Sequence, residues 1–362
     1  MDIALISGAY KNAGDFLIEE RCRRLLLHLV TGANVHRIVL NEVKNNLDYL
    51  NEMDAICFHG GPIYSNSLEK IFGDKIEPQN LLPKIMVVGG GWYGQYAYNS
   101  SPYRYRFTDY TLKFWKHVDK TGYGLGCRDL YTVKTLKSKN LNSATMTGCP
   151  AWYDIPSLQI TKLSKNFGSI RKIFVSEPAN KENFSLMFEL VRYLKVTFNN
   201  AQISIVVHRD KNVFLKRTDS AHLVWYEKNQ IDIIDITNSC DGFSVYNDSD
   251  LHIGFRVHAH IYNLSIRNRS ILIEEDGRGA GVNQALGLIG IKAYDDRYCN
   301  ESKIVRNAIN LSGLGYNVNL INDINTYLEI LSDTDDMYIN NAFALMQKYY
   351  LNMEKHICQI GT

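Results

Sequence analysis

Along the first half of the chain, short apolar runs end in glycine or polar residues and then give way to helical spacing. Residues 3–7 lead through Gly8–Gly14 into 15–29, where Ile18, Cys22, Leu25, Leu26 and Leu29 share one helical face. A second run covers 35–40. The run at 55–59 ends in Gly60-Gly61-Pro62, and that at 85–88 ends in Gly89-Gly90-Gly91. Residues 123–126 lead into Arg128-Asp129 and a helix to about Lys137. Strands alternating with helices predict a parallel sheet with ligand loops at the strands' carboxyl ends.

The same phrase restarts after the polar stretch 157–168. Residues 172–176, 203–207, 251–255 and 270–275 read as strands, and 181–198 and 257–267 as helices. The restart predicts an α/β protein of two Rossmann-like domains, 1–155 and 169–335, with a linker near 153–168. A helical pattern at 336–358, with Ala342, Leu345, Met346, Tyr349 and Tyr350 on its face, is of the kind that packs back across two lobes. A length of 362 residues agrees with two cores.

Composition removes several classes. A net charge of +2 without a Lys/Arg-dense stripe gives no case for nucleic acid. Seven cysteines, scattered and free of C-x-x-C spacing, point to reduced thiols rather than disulfides or structural zinc. The N-terminus lacks the basic and long apolar regions of a signal peptide, and no window approaches a membrane span. The expectation is a cytoplasmic protein with at most peripheral membrane association.

Residues 254–264, Gly-Phe-Arg-Val-His-Ala-His-Ile-Tyr-Asn-Leu, carry the richest chemistry. Arg256 and His258 fall where a strand yields to a helix, whose N-terminus offers unpaired N–H groups to an anion. On a helix, His258 and His260 point about 200° apart. On a strand they would form a metal-ligating pair. Val257, Ile261 and Leu264 have helical spacing, which favours the helix and leaves no metal expected. The plain alternative is that both histidines pack beneath a sheet.

Other stations repeat the theme. Asp15, after Asn12-Ala-Gly14, suits a base toward a hydroxyl and equally an N-cap. Arg128 offers a cation at a strand end, and Asp129 has the place of the next helix's N-cap. Arg278 adds a third cation, and Gly148-Cys149-Pro150 reads as structural. The glycine loops at 60–61 and 89–91 match no phosphate-binding motif and read as tight turns. The tyrosine-dense stretch after Gly91 makes Trp92 and Tyr93 candidates for stacking on a sugar face, with a core or lid role as the alternative. Three arginines and a histidine at strand–helix junctions imply a cleft for a small polyanion.

The ordered set Asn12-x-Gly14-Asp15, Arg128-Asp129 with Thr147-Gly-Cys-Pro150, and Gly254-Phe-Arg256-Val-His258-Ala resembles the polysaccharide pyruvyl transferase family. The stations span residues 12 to about 280. The resemblance implies a glycosyltransferase-B-like fold and transfer of pyruvate from phosphoenolpyruvate (PEP) to two hydroxyls of a sugar. PEP is then the co-substrate, and no cofactor is required. The acceptor is a sugar of a cell-surface polysaccharide or of its lipid-linked precursor. Position by position, the resemblance implies that Arg256 and His258 engage PEP, that Arg128 holds the same anion, and that Asp15 is the acidic residue of the first station. One departure stands out: Glu275-Asp276-Gly277-Arg278 replaces the Tyr-Asp-x-Lys of many members, and Arg278 can bind charge but not readily donate a proton. In this reading His258 is the acid and Asp15 the base. The rivals are a nucleotide-sugar glycosyltransferase, a metal-dependent hydrolase built on His258-x-His260, and a non-catalytic sugar or anion binder.

Overall fold

The computed structural model describes residues 1–72, 75–92, 105–163, 165–295 and 316–361. The first domain orders β1 (Asp2–Ser7), α1 (Ala13–Leu29), β2 (Asn34–Val39), α2 (Leu47–Asn51), β3 (Ala55–Phe58), β4 (Gly61–Tyr64), α3 (Leu68–Phe72), β5 (Lys84–Trp92), α4 (Asp109–Thr121), β6 (Gly124–Cys127), α5 (Leu130–Lys137) and β7 (Thr145–Met146). The second orders β8 (Lys172–Ser176), α6 (Phe184–Thr197), β9 (Gln202–Val207), α7 (Lys211–Arg217), α8 (Ser220–Lys228), β10 (Asp232–Asp235), β11 (Leu251–Gly254), α9 (Val257–Ser265), β12 (Ser270–Glu274), α10 (Gly277–Leu286), β13 (Ile291–Lys292) and α11 (Leu320–Asp333). Last comes α12 (Met337–Ile357).

Each domain is built on a parallel sheet. The first runs β2-β1-β3-β5-β6-β7, with β4 also paired to β5, and the second runs β10-β9-β8-β11-β12-β13. Helices cover both faces, so strands such as β1 and β9 are buried almost end to end. Strand order reverses between β1 and β3 in one sheet and between β8 and β11 in the other. Such reversals open a crevice at the strands' carboxyl ends. The Gly8 and Gly60 loops and the Ala179 and Phe255–His258 segments follow those strands, so the two crevices supply the walls of one cavity.

One expectation fails. Gly89, Gly90 and Gly91 do not form a turn; β5 continues through them to Trp92. They are needed because neighbours come too close for a side chain. A Cβ on Gly89 would lie 2.6 Å from Pro150 Cδ, and one on Gly90 would lie 2.7 Å from Ile63 Cγ2. A Cβ on Gly91 would overlap the guanidinium of Arg128. Glycine here makes room for packing rather than for reversal.

The domains are pinned together. Ala13 N donates to His208 O (3.1 Å), and Asn238 N donates to Lys11 O (3.1 Å), both across the cleft. Helix α12 starts beside the second sheet and ends on the first, where His356 Nε2 bonds Val87 O (2.9 Å) and Asn352 Nδ2 donates to Met146 O (3.1 Å). A single apolar cluster runs from Leu5 and Leu25 through Ile173 and Ile253 to Phe343 and Ile357. Among the described residues, no helix is long and apolar enough to cross a membrane. The six cysteines described are free thiols.

The start of α12 depends on a buried ion pair. Arg269, 1% exposed, donates through Nε to Asp336 Oδ1 (2.7 Å) and through Nη2 to the other carboxylate oxygen. The same guanidinium reaches Asp250 O (3.1 Å) and Lys165 O (3.0 Å), tying sheet, linker and helix together. Removing one member strands the other charge. Arg269→Ala is expected to cost about 3–5 kcal/mol, read as a lower urea midpoint; a variant as stable as the parent would refute the role.

Candidate functional site

The cavity between the domains has a volume of about 360 Å³, within the usual range for small-molecule sites. Asp15, Arg128, Arg256, His258 and Arg278 all line it, together with Arg209, His59 and Glu275. The first-domain side also offers an apolar wall of Tyr10, Leu40, Pro62 and Ile71. Trp92 is not part of it. Its ring is 1% exposed and packs edge-on against Tyr105 (5.3 Å between centroids), so the expected stacking on a sugar is corrected to a core role. Tyr93 lies outside the described residues.

Helix α9 begins at Val257, so His258 and His260 diverge as helical spacing requires. His258 turns toward the cavity. His260 is buried against Ser270 Oγ (2.8 Å), which also bonds His252 Nδ1 (2.7 Å). The metal pair that a strand would have made is absent. The N-termini around the cavity differ in one telling respect. Asn12 caps α1 by accepting from Gly14 N, Asp129 caps α5, and Asp276 caps α10. Helix α9 has no side-chain cap. Its first N–H groups and the positive end of its dipole therefore remain available to an anion.

Three cavity arginines come with their own carboxylates. Arg256 pairs with the buried Glu177, and its backbone N–H donates to Ser176 Oγ (3.0 Å). Its Nε is buried with no partner among the described residues. Arg128 lies 3.3 Å from Asp129 and donates to Trp92 O (3.4 Å), so Trp92 contributes a carbonyl rather than a ring. Arg278 folds back on Asp276 (2.6 Å) at the start of α10. Sequence reasoning missed Arg209 and Glu177. Both follow second-domain strands at their carboxyl ends, the same signal that marked Arg128.

Asp15 is not the N-cap; Asn12 is, and Asp15 sits within the first turn with Asn12 Nδ2 donating to it (3.2 Å). Burial raises its carboxyl pKa, and the charges of Arg209, Arg278 and Arg256 pull the other way. Burial drives the His258 imidazole down to about 3, helped by Arg278, Arg128, Arg256 and Arg209. With these groups around it, the ring is held neutral at pH 7. His59 is also pushed down, to about 4, by burial; its Nε2 accepts from Gly8 N (3.0 Å) and fixes the loop after β1.

His258 reaches across the cleft to α1. A Cβ on Gly14 would overlap its imidazole, so only glycine allows the contact. Gly14→Ala should keep α1 intact, since alanine favours helix, while displacing the ring. Unchanged circular dichroism with activity lost is the expected result, and full activity would contradict the packing.

Titrating the free protein by imidazole NMR should find His258 uncharged down to about pH 3, with inorganic phosphate raising the midpoint. Unfolded chain takes this proton near pH 6.5. Protonation thus favours the unfolded state, and His258 withdraws stability as pH falls from about 6.5 toward 3. A midpoint near 6.5 in the free protein would rule this environment out.

A family model described as polysaccharide pyruvyl transferase matches residues 12–262. No curated protein matches the sequence significantly. Three solved structures share the overall shape at low identity. S. aureus MnaA, solved with UDP, is 13% identical over 97% of each chain with a TM-score of 0.52. The Neisseria meningitidis UDP-GlcNAc 2-epimerase bound to UDP-GlcNAc is 13% identical over 91% of this chain and 100% of its own, with a TM-score of 0.50. The Methanocaldococcus jannaschii UDP-GlcNAc 2-epimerase is 12% identical with the same coverages and TM-score. These likenesses establish a glycosyltransferase-B-like fold and nothing about chemistry.

Proposed function

The chain belongs to the polysaccharide pyruvyl transferase family, and on that premise we propose that it transfers pyruvate from PEP to a sugar acceptor, forming a cyclic ketal. The observation that supports this reading is the gathering of Asp15, Arg128, Arg256, His258 and Arg278 from both domains around the uncapped start of α9. PEP carries a phosphate and a carboxylate on a small carbon frame, which suits several fixed guanidinium forks and a dipole.

The roles follow from charge. A sugar hydroxyl adds to C2 of PEP while C3 takes a proton from His258, and Asp15 accepts the hydroxyl proton. The C2–O bond to phosphate then breaks, and inorganic phosphate leaves held by Arg256, Arg128 and α9. A second hydroxyl bonds C2 and gives its proton to His258, closing the ketal, while Asp15 passes the first hydroxyl's proton to the departing phosphate. Arg278, bound to Asp276, contributes charge rather than a proton. The acceptor lies against Tyr10, Leu40, Pro62 and Ile71, whose apolar surface suits the C–H face of a sugar.

A neutral imidazole cannot be the acid until the arginines are countered. PEP itself supplies the countercharge, so substrate binding arms His258. Calorimetry of PEP binding in buffers of different ionisation enthalpy should show proton uptake at pH 7 that His258→Gln loses. Equal uptake in both proteins would exclude His258 as the group armed.

The activity test is phosphate release from PEP across lipid-linked and nucleotide-linked sugars, with the product identified by mass. His258→Ala should lower turnover by about 10²–10⁴-fold. Arg256→Lys should also be severe, since a point charge does not replace a planar fork. A hexose adduct made from a nucleotide sugar, with PEP inert, would sink the proposal.

A further inference from the structure

Of the four arginines lining the cavity, Arg209 alone has no hydrogen bond or ion pair among the described residues. Its position is fixed all the same. The residue before it, His208, is buried; its carbonyl accepts from Ala13 N (3.1 Å) across the cleft, and its own N–H donates to Glu177 (3.1 Å). The residue after it is committed elsewhere, since Asp210 caps α7 by accepting from Asn212 N (2.8 Å) and Val213 N (3.3 Å). Arg209 is thus held at the exposed mouth of the cavity with the adjacent carboxylate spent.

The charges around it make this placement costly without a ligand. Partial burial disfavours its charged form, and repulsion from Arg256 and Arg278 adds to that. Glu177 and Asp15 attract it, but Glu177 is bonded to Arg256 and Asp15 stands on the opposite domain. Arg128, Arg256 and Arg278 are each neutralised by a partner. Arg209 is therefore the cavity cation whose donors are not taken up by a carboxylate among the described residues.

Building on the PEP reading, we infer that Arg209 is a donor-binding residue that takes up the phosphate of PEP at the cavity mouth. A guanidinium with all its donors open offers two parallel hydrogen bonds to a phosphate. It lies outside the motif stations at 12–15, 128–129, 147–150 and 254–258, and the fold brings it to them.

The test compares wild type with Arg209→Gln and Arg209→Lys. The measurements are PEP and inorganic phosphate binding by calorimetry, and KM for the acceptor at saturating PEP. Arg209→Gln should bind both anions roughly ten- to a hundredfold more weakly. Acceptor KM should stay unchanged, and Arg209→Lys should be intermediate in anion affinity. Without anion, the thermal midpoint of Arg209→Gln should be no lower than that of wild type, because the side chain makes no structural bond and its charge is repelled. Unchanged anion affinity in Arg209→Gln overturns the inference. So does a change confined to acceptor KM, which would assign Arg209 to a phosphate on the acceptor. If wild type ignores PEP yet binds inorganic phosphate through Arg209, the anion role stands and the pyruvyl reading falls. Should wild type bind neither anion, both fall.

Discussion

The site depends on the pairing of three of its four cavity arginines with carboxylates from their own domains. Guanidinium groups crowded into one cavity repel each other, and burial makes every unpaired charge expensive. Glu177, Asp129 and Asp276 answer Arg256, Arg128 and Arg278 one by one. All three acids also hold backbone: Asp129 and Asp276 cap the helices that follow them, and Glu177 accepts from His208 N. The carboxylates thus aim the forks as well as neutralise them. The arrangement leaves a cavity near balance, with room for the charge that a ligand brings.

The second constraint is closeness between domains. His258 from one sheet's switch point rests on Gly14 from the other's, and the loop hydrogen bonds at Ala13 and Lys11 hold them together. Because the imidazole is wedged against a helix start and surrounded by guanidiniums, its neutral form is favoured. The same crowding explains Gly91, which yields its side-chain space to Arg128.

Much of this was legible because parallel α/β folds repeat a local phrase. The runs at 3–7, 172–176 and 251–255 became β1, β8 and β11, and the spacing of Val257, Ile261 and Leu264 correctly separated His258 from His260. Asp129 as an N-cap was visible for the same reason, since capping is decided within four residues. What escaped was non-local. The glycines of β5 answer to Pro150, Ile63 and Arg128, which no local pattern announces. Trp92 faces inward because the sheet continues where a turn was expected. Arg209 and Glu177 acquire meaning only once two strand ends from one sheet meet α1 from the other. The pKa of His258 depends on four arginines spread over 151 positions of sequence, from 128 to 278 counted inclusively.

Helix α12 has a bearing on how the molecule comes into being. His356 closes a hydrogen bond to Val87, 269 positions earlier in the chain, and the cluster it completes includes the underside of the first sheet. On a ribosome, the first domain's strands emerge long before the segment that covers them. Until then Val87 O lacks this partner, and apolar residues such as Met86, Val88 and Trp152 lack the cover of α12. Contacts of such long sequence separation form slowly, because the loop must close before it is rewarded. The two lobes are therefore not successive, self-sufficient folding units: vectorial synthesis leaves the first sheet waiting on α12.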